Sequence, residues 1–158
     1  MPFAAEVHFA LIHAYEQANH ANTRYFSQWD LTPQQYNVVR ILYFGEDEGV
    51  RLSDIGGRLL QRVPDVSRLV DRLEEAHLAV RMSDREDRRA VRVALTANGR
   101  QLLVDIDADL QAEMERLYSA LSGPEQRRLY TLLEKAAAVL AASNDSDHVP
   151  AIKEERTR

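Results

Sequence analysis

The sequence predicts a mainly α-helical fold that carries one small β-hairpin. Three observations support that expectation. Apolar residues recur at steps of three and four through most of the chain. Two helix starts are written in capping residues, at Thr32-Pro33-Gln34-Gln35 and at Ser122-Gly123-Pro124-Glu125. Only between residues 80 and 95 does the apolar period shorten to two.

The elements follow in order. A first helix spans about 4–28, where Val7, Leu11, Ala14 and Ala18 recur at helical spacing and no proline interrupts. Phe3, Phe9, Tyr15, Tyr25, Phe26 and Trp29 add more aromatic bulk than one helix buries, so partner helices are expected. The second helix takes Thr32 as N-cap, Pro33 as N1 and Gln35 as N3. Its stripe is Tyr36, Val39 and Leu42 or Tyr43, and it stops at Gly45. Ser53 reads as the N-cap of a short helix with Ile55, Leu59 and Leu60 inward. Gly56 and Gly57 are weak helix formers that allow a neighbouring helix to come close.

Pro64 opens the next helix, which runs through about His77. Val66, Leu69, Val70 and Leu73 line its inner face, while Ser67, Arg68, Asp71, Arg72 and Glu75 occupy the other side. Then the period changes. Val80 and Met82 alternate with Arg81 and Ser83, and Val91, Val93 and Leu95 alternate with Arg92 and Ala94. The tip between them, Asp84 to Ala90, is too polar to pack. Thr96 caps a long helix to about Leu121, seamed by Leu103, Ile106, Leu110, Met114, Leu117 and Leu121. The last helix carries Leu129, Leu132, Leu133, Ala136 and Leu140, and a polar tail after Ser143 is expected to be disordered.

Charge is unevenly spread. The net charge of -5 argues at first against a nucleic-acid partner. Yet residues 51–100 hold 11 arginines against 8 acidic residues, and the excess acid lies outside them. A basic centre in an acidic frame suits a protein that meets phosphate with one face. The absence of cysteine excludes disulfides, Cys-ligated zinc and a thiol redox sensor. No apolar run approaches the ~18 residues of a membrane span. The N-terminus lacks the basic and apolar regions of a signal peptide, so a cytoplasmic protein is expected.

A short helix joined to a second helix and followed by a hairpin is a winged helix-turn-helix. The second helix of such a pair enters the major groove, and its N-terminal residues reach the bases. That points to Asp65, Ser67 and Arg68, with Arg72 one turn on. Arg68 can contact guanine in bidentate fashion. The hairpin would reach the minor groove with Arg85, Arg88 and Arg89. Asp84 and Asp87 sit oddly in a phosphate-facing loop, so one or both are expected to orient a neighbouring arginine. Each piece alone equally describes an amphipathic helix or a charged surface turn. The specific signal is the order of the parts.

Residues 52–99 resemble the winged-helix core of the MarR (multiple-antibiotic-resistance regulator) family. Arg68 to Glu74 matches its "RLVDRLE" pattern, Asp84 to Arg89 its "D-x-x-D-R-R" wing, and Leu95 to Gly99 its "LT-x-x-G" entry into the next helix. The likeness extends more loosely over most of residues 5–142. Two positions depart from it: His77 stands where the family usually has glycine, and Gly56-Gly57 where alanine-like residues are usual.

The resemblance implies an obligate homodimer with a helical dimerisation layer that reads a near-palindromic operator. The outer helices, too apolar for a lone domain, agree with it. The expected division is residues 4–30 as an N-terminal dimerisation helix, 31–96 as the DNA-binding domain, 97–142 as C-terminal dimerisation helices and 143–158 as a disordered tail. Many members of the family bind small aromatic or phenolic anions, and that implies a ligand site with His13, Tyr25, Trp29, Tyr36 and Arg40 as lining candidates. Each of these is also an ordinary packing residue. His13, Glu16 and His20 share a helix face near His8, yet such a face is usually solvated, and no metal or other cofactor is expected. No nucleophile–base pair, glycine-rich phosphate loop or paired carboxylates stand out, so an enzyme is not expected. The expected function is a homodimeric transcription repressor released by a small aromatic or phenolic ligand. The alternative is a winged-helix protein that binds DNA without sequence preference or docks other proteins.

Overall fold

The computed structural model describes residues 3–45, 48–59, 63–87 and 89–146. Its elements are α1 (Ala4–Ser27), α2 (Pro33–Tyr43), β1 (Val50–Arg51), α3 (Leu52–Arg58), α4 (Val66–Glu75), β2 (Ala79–Ser83), β3 (Val91–Leu95), α5 (Ala97–Leu117) and α6 (Gly123–Ser146). The fold is mainly helical with a three-stranded antiparallel sheet in the order β1-β3-β2. The chain divides into two compact units, one ending at Asp109 and the other beginning at Leu110.

The core of the first unit is drawn from every element around the sheet. Val38, Val39 and Leu42 of α2, Ile55 of α3, Val70 and Leu73 of α4, Val93 of β3, and Leu103 and Ile106 of α5 are all buried. α2 begins with the expected capping box: Thr32 Oγ1 accepts from Gln35 N at 3.2 Å, and Gln35 Oε1 accepts from Thr32 N at 2.8 Å. Two orphan donors are satisfied reciprocally, so the helix start is sharply set.

Several boundaries differ from the sequence reading. α3 starts at Leu52 with Arg51 at its N-cap, and the Ser53 hydroxyl donates to Asp54 rather than capping. Leu59 has already left that helix in an extended conformation, and Leu60 lies outside the described residues. α4 is shorter than 64–77, because Asp65 takes the N-cap and accepts from Arg68 N at 3.0 Å. β1, two residues long, was too short to leave a periodic signal. In the second unit α5 stops at Leu117, short of Leu121. α6 runs through Ser146, past the expected start of the tail, and 147–158 lie outside the described residues.

The end of α4 is tied to the start of α5. Leu78 N donates to Leu73 O and His77 N to Glu74 O, both at 2.8 Å, which closes the helix with His77 in the left-handed region at φ 57°. Thr96 then caps α5: its hydroxyl accepts from Gly99 N at 3.1 Å and donates to His77 O at 2.8 Å. Thr96 N donates to Leu78 O at 3.0 Å. A Cβ on Gly99 would fall 2.1 Å from that same Leu78 oxygen. Glycine here is therefore a packing requirement rather than a matter of flexibility.

Candidate functional site

α4 presents a polar stripe to solvent. Its apolar side is consumed by Val70 and Leu73, both fully buried, with Val66 and Leu69 half-buried. Arg68 and Arg72, one turn apart, are exposed. Arg72 Nη1 donates to Glu75 Oε2 at 2.9 Å, but both side chains are mostly exposed, so the pair is easily exchanged for another anion. With Thr32, Gln34 and Gln35 of the α2 start, Arg68 and Arg72 line a groove of about 640 Å³. Asp65, which also lines this groove, commits one carboxylate oxygen to its own helix cap. Ser67 is also engaged: its hydroxyl and its carbonyl oxygen each accept from Arg81 Nη2 at 3.0 Å.

The hairpin is built around one buried carboxylate. Asp84, 2% exposed, is the only buried charged residue among those described. Its Oδ2 accepts from Arg51 Nε at 2.9 Å and from Arg92 Nε at 2.7 Å. Its Oδ1 accepts from the backbone of Glu86 at 2.9 Å and Asp87 at 3.0 Å, which folds the first turn of the tip. The Arg51 hydrogen bond, the Asp87 amide and Arg92 together hold the Asp84 carboxyl well below the usual carboxylate range. Asp87 Oδ1 accepts from Arg89 N at 2.9 Å and shapes the far side. So Asp84 does orient neighbouring arginines, but they are the strand residues Arg51 and Arg92 and not those of the tip. At the tip itself Arg85 is 85% exposed and pairs with Glu48 at 3.0 Å. Arg89 is also exposed, and Arg88 lies outside the described residues.

Wing and helix pair share a surface. Leu52 and Ser53 of α3 and Val66 of α4 form one wall of a groove of about 570 Å³, and Asp87, Arg89, Ala90 and Val91 form the other. The start of α4 is thus flanked by two grooves, one shared with the wing and one with α2.

Hairpin register explains what sequence reading missed. Arg81 pairs with Val93 and Met82 with Arg92. Directly paired residues lie on one face of a sheet, so Arg81 sits on the side of buried Val93, while Val80 and Met82 lie on the other and are exposed. Alternation finds a strand but not which side is inward. Arg51, Arg81 and Arg92 could have been singled out only by assigning that register first.

The ligand candidates are scattered in role. Tyr25 is buried and its hydroxyl donates to Ile106 O at 3.2 Å. Tyr36 is buried, stacked on Phe26 at 4.2 Å, and its hydroxyl donates to Asp107 Oδ1 at 2.9 Å. Burial and then Asp107 push that phenol above its ordinary range. Trp29 is half-buried, while His13 is exposed and within hydrogen-bond distance of Gln17. Arg40 is exposed, 5.5 Å from the Phe44 ring centre and 6.0 Å from that of Tyr36. Among the described residues no three His, Asp or Glu side chains form a group able to hold a metal ion. No described helix is long and apolar enough to cross a membrane.

Comparison with known proteins adds the following. Residues 29–90 match the model of the MarR family. The chain is 30% identical over 125 residues to the HTH-type transcriptional regulator MhqR of Bacillus subtilis, covering 79% of this chain and 85% of that protein. It is 26% identical over 137 residues to the homoprotocatechuate degradative operon repressor of Escherichia coli, covering 84% and 91%. Among solved structures, the S. aureus MepR–DNA complex superposes with a TM-score of 0.72 at 26% identity, covering 83% of this chain and 96% of that one.

Proposed function

The chain belongs to the MarR family, and on that premise we propose that it is a transcription regulator that binds double-stranded DNA sequence-specifically. The observation that carries this reading is the exposed Arg68–Arg72 stripe on a helix flanked by two grooves. A helix so placed enters the major groove while the sugar-phosphate strands pass on either side. Arg68 and Arg72 then face base edges, with Ser67 and Asp65 beside them. Arg85 and Arg89 approach the phosphates or the minor groove from the wing, and Arg88, outside the described residues, is assigned to DNA on its sequence position alone. The net negative charge of the chain is no obstacle, since the acid lies outside this basic centre. MepR, one of its relatives, has been crystallised with DNA.

The protein acts as a homodimer in this proposal. Phe3 and Phe9 of the N-terminal segment are 71% and 72% exposed, and on α6 Tyr130 and Val139 are 67% and 60% exposed. No residue of α6 from Gly123 to Ser143 is buried. Such area left in water forfeits roughly 25 cal/mol per Å², and a second copy is the natural cover. Two copies would present two recognition helices to a near-palindromic site.

Repression relieved by a small aromatic or phenolic acid completes the proposal. The relative in E. coli is named for repressing an operon that degrades homoprotocatechuate, itself a phenolic acid. Of the candidate lining residues, Arg40 offers an exposed cation against an aromatic ring. Such a ligand releases DNA only through its differential affinity for the bound and free arrangements. The deciding experiment selects duplexes from a random library and compares affinities for selected and scrambled DNA. Equal affinity for both removes the regulator and leaves a non-specific DNA-binding protein.

A further inference from the structure

The guanidinium of Arg81 sits on the helix-facing side of β2, where hydrophobic packing does not explain it. Register puts this arginine on the face of Val93, toward the helices, and its side chain is only 24% exposed. From there it grips three positions of α4. Its Nη2 donates to the Ser67 hydroxyl and carbonyl oxygen at 3.0 Å. Its Nη1 lies 2.7 Å from Asp71 Oδ1 and also contacts the Glu74 carboxylate. Glu74 closes the loop, because its Oε1 accepts from the Arg81 backbone N at 2.8 Å. That N–H belongs to an outer strand of the sheet, where no further strand among the described residues takes it.

Positions 67, 71 and 74 form a stripe at helical spacing. Arg68 and Arg72 follow Ser67 and Asp71 by one residue, so they form a second stripe rotated by about 100° from the first. Holding the first stripe therefore sets the direction in which the second points. A planar, always-charged fork with several donors is suited to holding three acceptors at once, which a lysine is not. We infer that Arg81 is a positioning residue that fixes the rotation of α4 about its axis and so aims Arg68 and Arg72, and that Ser67 belongs to this clamp. Arg81 does this without touching DNA. The inference rests on the proposal that α4 reads bases, and extends it to how the helix is aimed.

The test compares wild type with Arg81→Ala, Arg81→Lys and Glu74→Gln as full chains. Each is checked for native circular dichroism and assayed well below its Tm. Affinity is measured for the duplex that wild type selects and for a scrambled duplex, across a range of salt. The expected result is a tenfold or greater fall in the selected-to-scrambled affinity ratio for Arg81→Ala. Smaller falls are expected for Arg81→Lys and Glu74→Gln, with the salt dependence on scrambled DNA unchanged throughout. A purely structural arginine would lower Tm and leave the ratio of folded protein unaltered, and that outcome overturns the inference. So does a reduced salt slope, which would mean that Arg81 itself meets phosphate. A wild type without any preferred duplex would instead sink the proposed function, and this inference along with it.

Discussion

Arg51 and Arg92 stand directly opposite each other on β1 and β3, and one oxygen of Asp84 accepts from both, at 2.9 and 2.7 Å. Like charges facing across strands repel. A shared, buried anion turns that repulsion into a three-way tie between β1, β3 and the first residue of the wing tip. Arg92 extends the tie by donating from Nη1 to Gly49 O at 2.7 Å.

This arrangement has a pH signature. The Asp84 carboxyl is depressed below its ordinary value of 3.8, so the folded state resists a proton that the unfolded state accepts. Its stabilisation is therefore fully present above about pH 4 and is lost as pH falls toward the depressed folded value. Asp84→Asn should lower Tm at pH 7, and the gap to wild type should shrink steadily between pH 4 and 2.5. Superimposable acid limbs for the two proteins would show that Asp84 is not held this way.

The two glycine environments predict opposite effects. Gly99→Ala places a Cβ 2.1 Å from a carbonyl oxygen that already accepts from Thr96 N, so neither side yields easily. A loss of at least ~1–3 kcal/mol is expected. A Cβ at Gly57 would meet no atom of the described residues within 4 Å apart from its chain neighbours and its own helix backbone, and there alanine should gain up to about 1 kcal/mol of helix propensity. Urea denaturation of both variants checks the pair, and a neutral Gly99→Ala would refute the close approach.

His77 pays for its position. It closes α4 at φ 57°, where a side chain costs roughly 1–2 kcal/mol relative to glycine. Glycine spends part of this in backbone entropy, so His77→Gly should stabilise by about 1 kcal/mol net. The measurement is a denaturant midpoint, and a destabilised variant would mean that the imidazole makes a contact worth more than the strain.

Much of this was legible in local sequence. Thr32 and Gln35 announced a capping box, and Thr96 with Gly99 a helix start, because each is a contact within three residues along the chain. The wing was legible because its alternation has a different period from the helices around it. What stayed hidden depends on pairing between distant segments. Val80 and Met82 look like the inward residues of β2, yet the hairpin register hands that side to Ala79 and Arg81. Asp84 reads as a tip residue that orients a neighbouring arginine, but which arginine stays hidden, since only β1, which is two residues long, brings Arg51 to it. Ser53 looks like a cap, but the preceding strand delivers the chain into α3 two residues earlier, with Arg51 at the N-cap.

The division of labour on the DNA face gives the sharpest prediction. Arg68 projects from α4 without a side-chain ion pair among the described residues, whereas Arg89 projects from the wing across the shared groove. A base-reading arginine distinguishes sequences, and a phosphate-binding one does not. Arg68→Ala should therefore cost ~1–3 kcal/mol on the selected duplex and little on scrambled DNA. Arg89→Ala should weaken both duplexes alike and reduce the slope of log K against log salt by about one. Binding isotherms at four salt concentrations separate the two behaviours. If Arg68→Ala weakened both duplexes equally, α4 would be resting on the backbone and the bases would be read elsewhere.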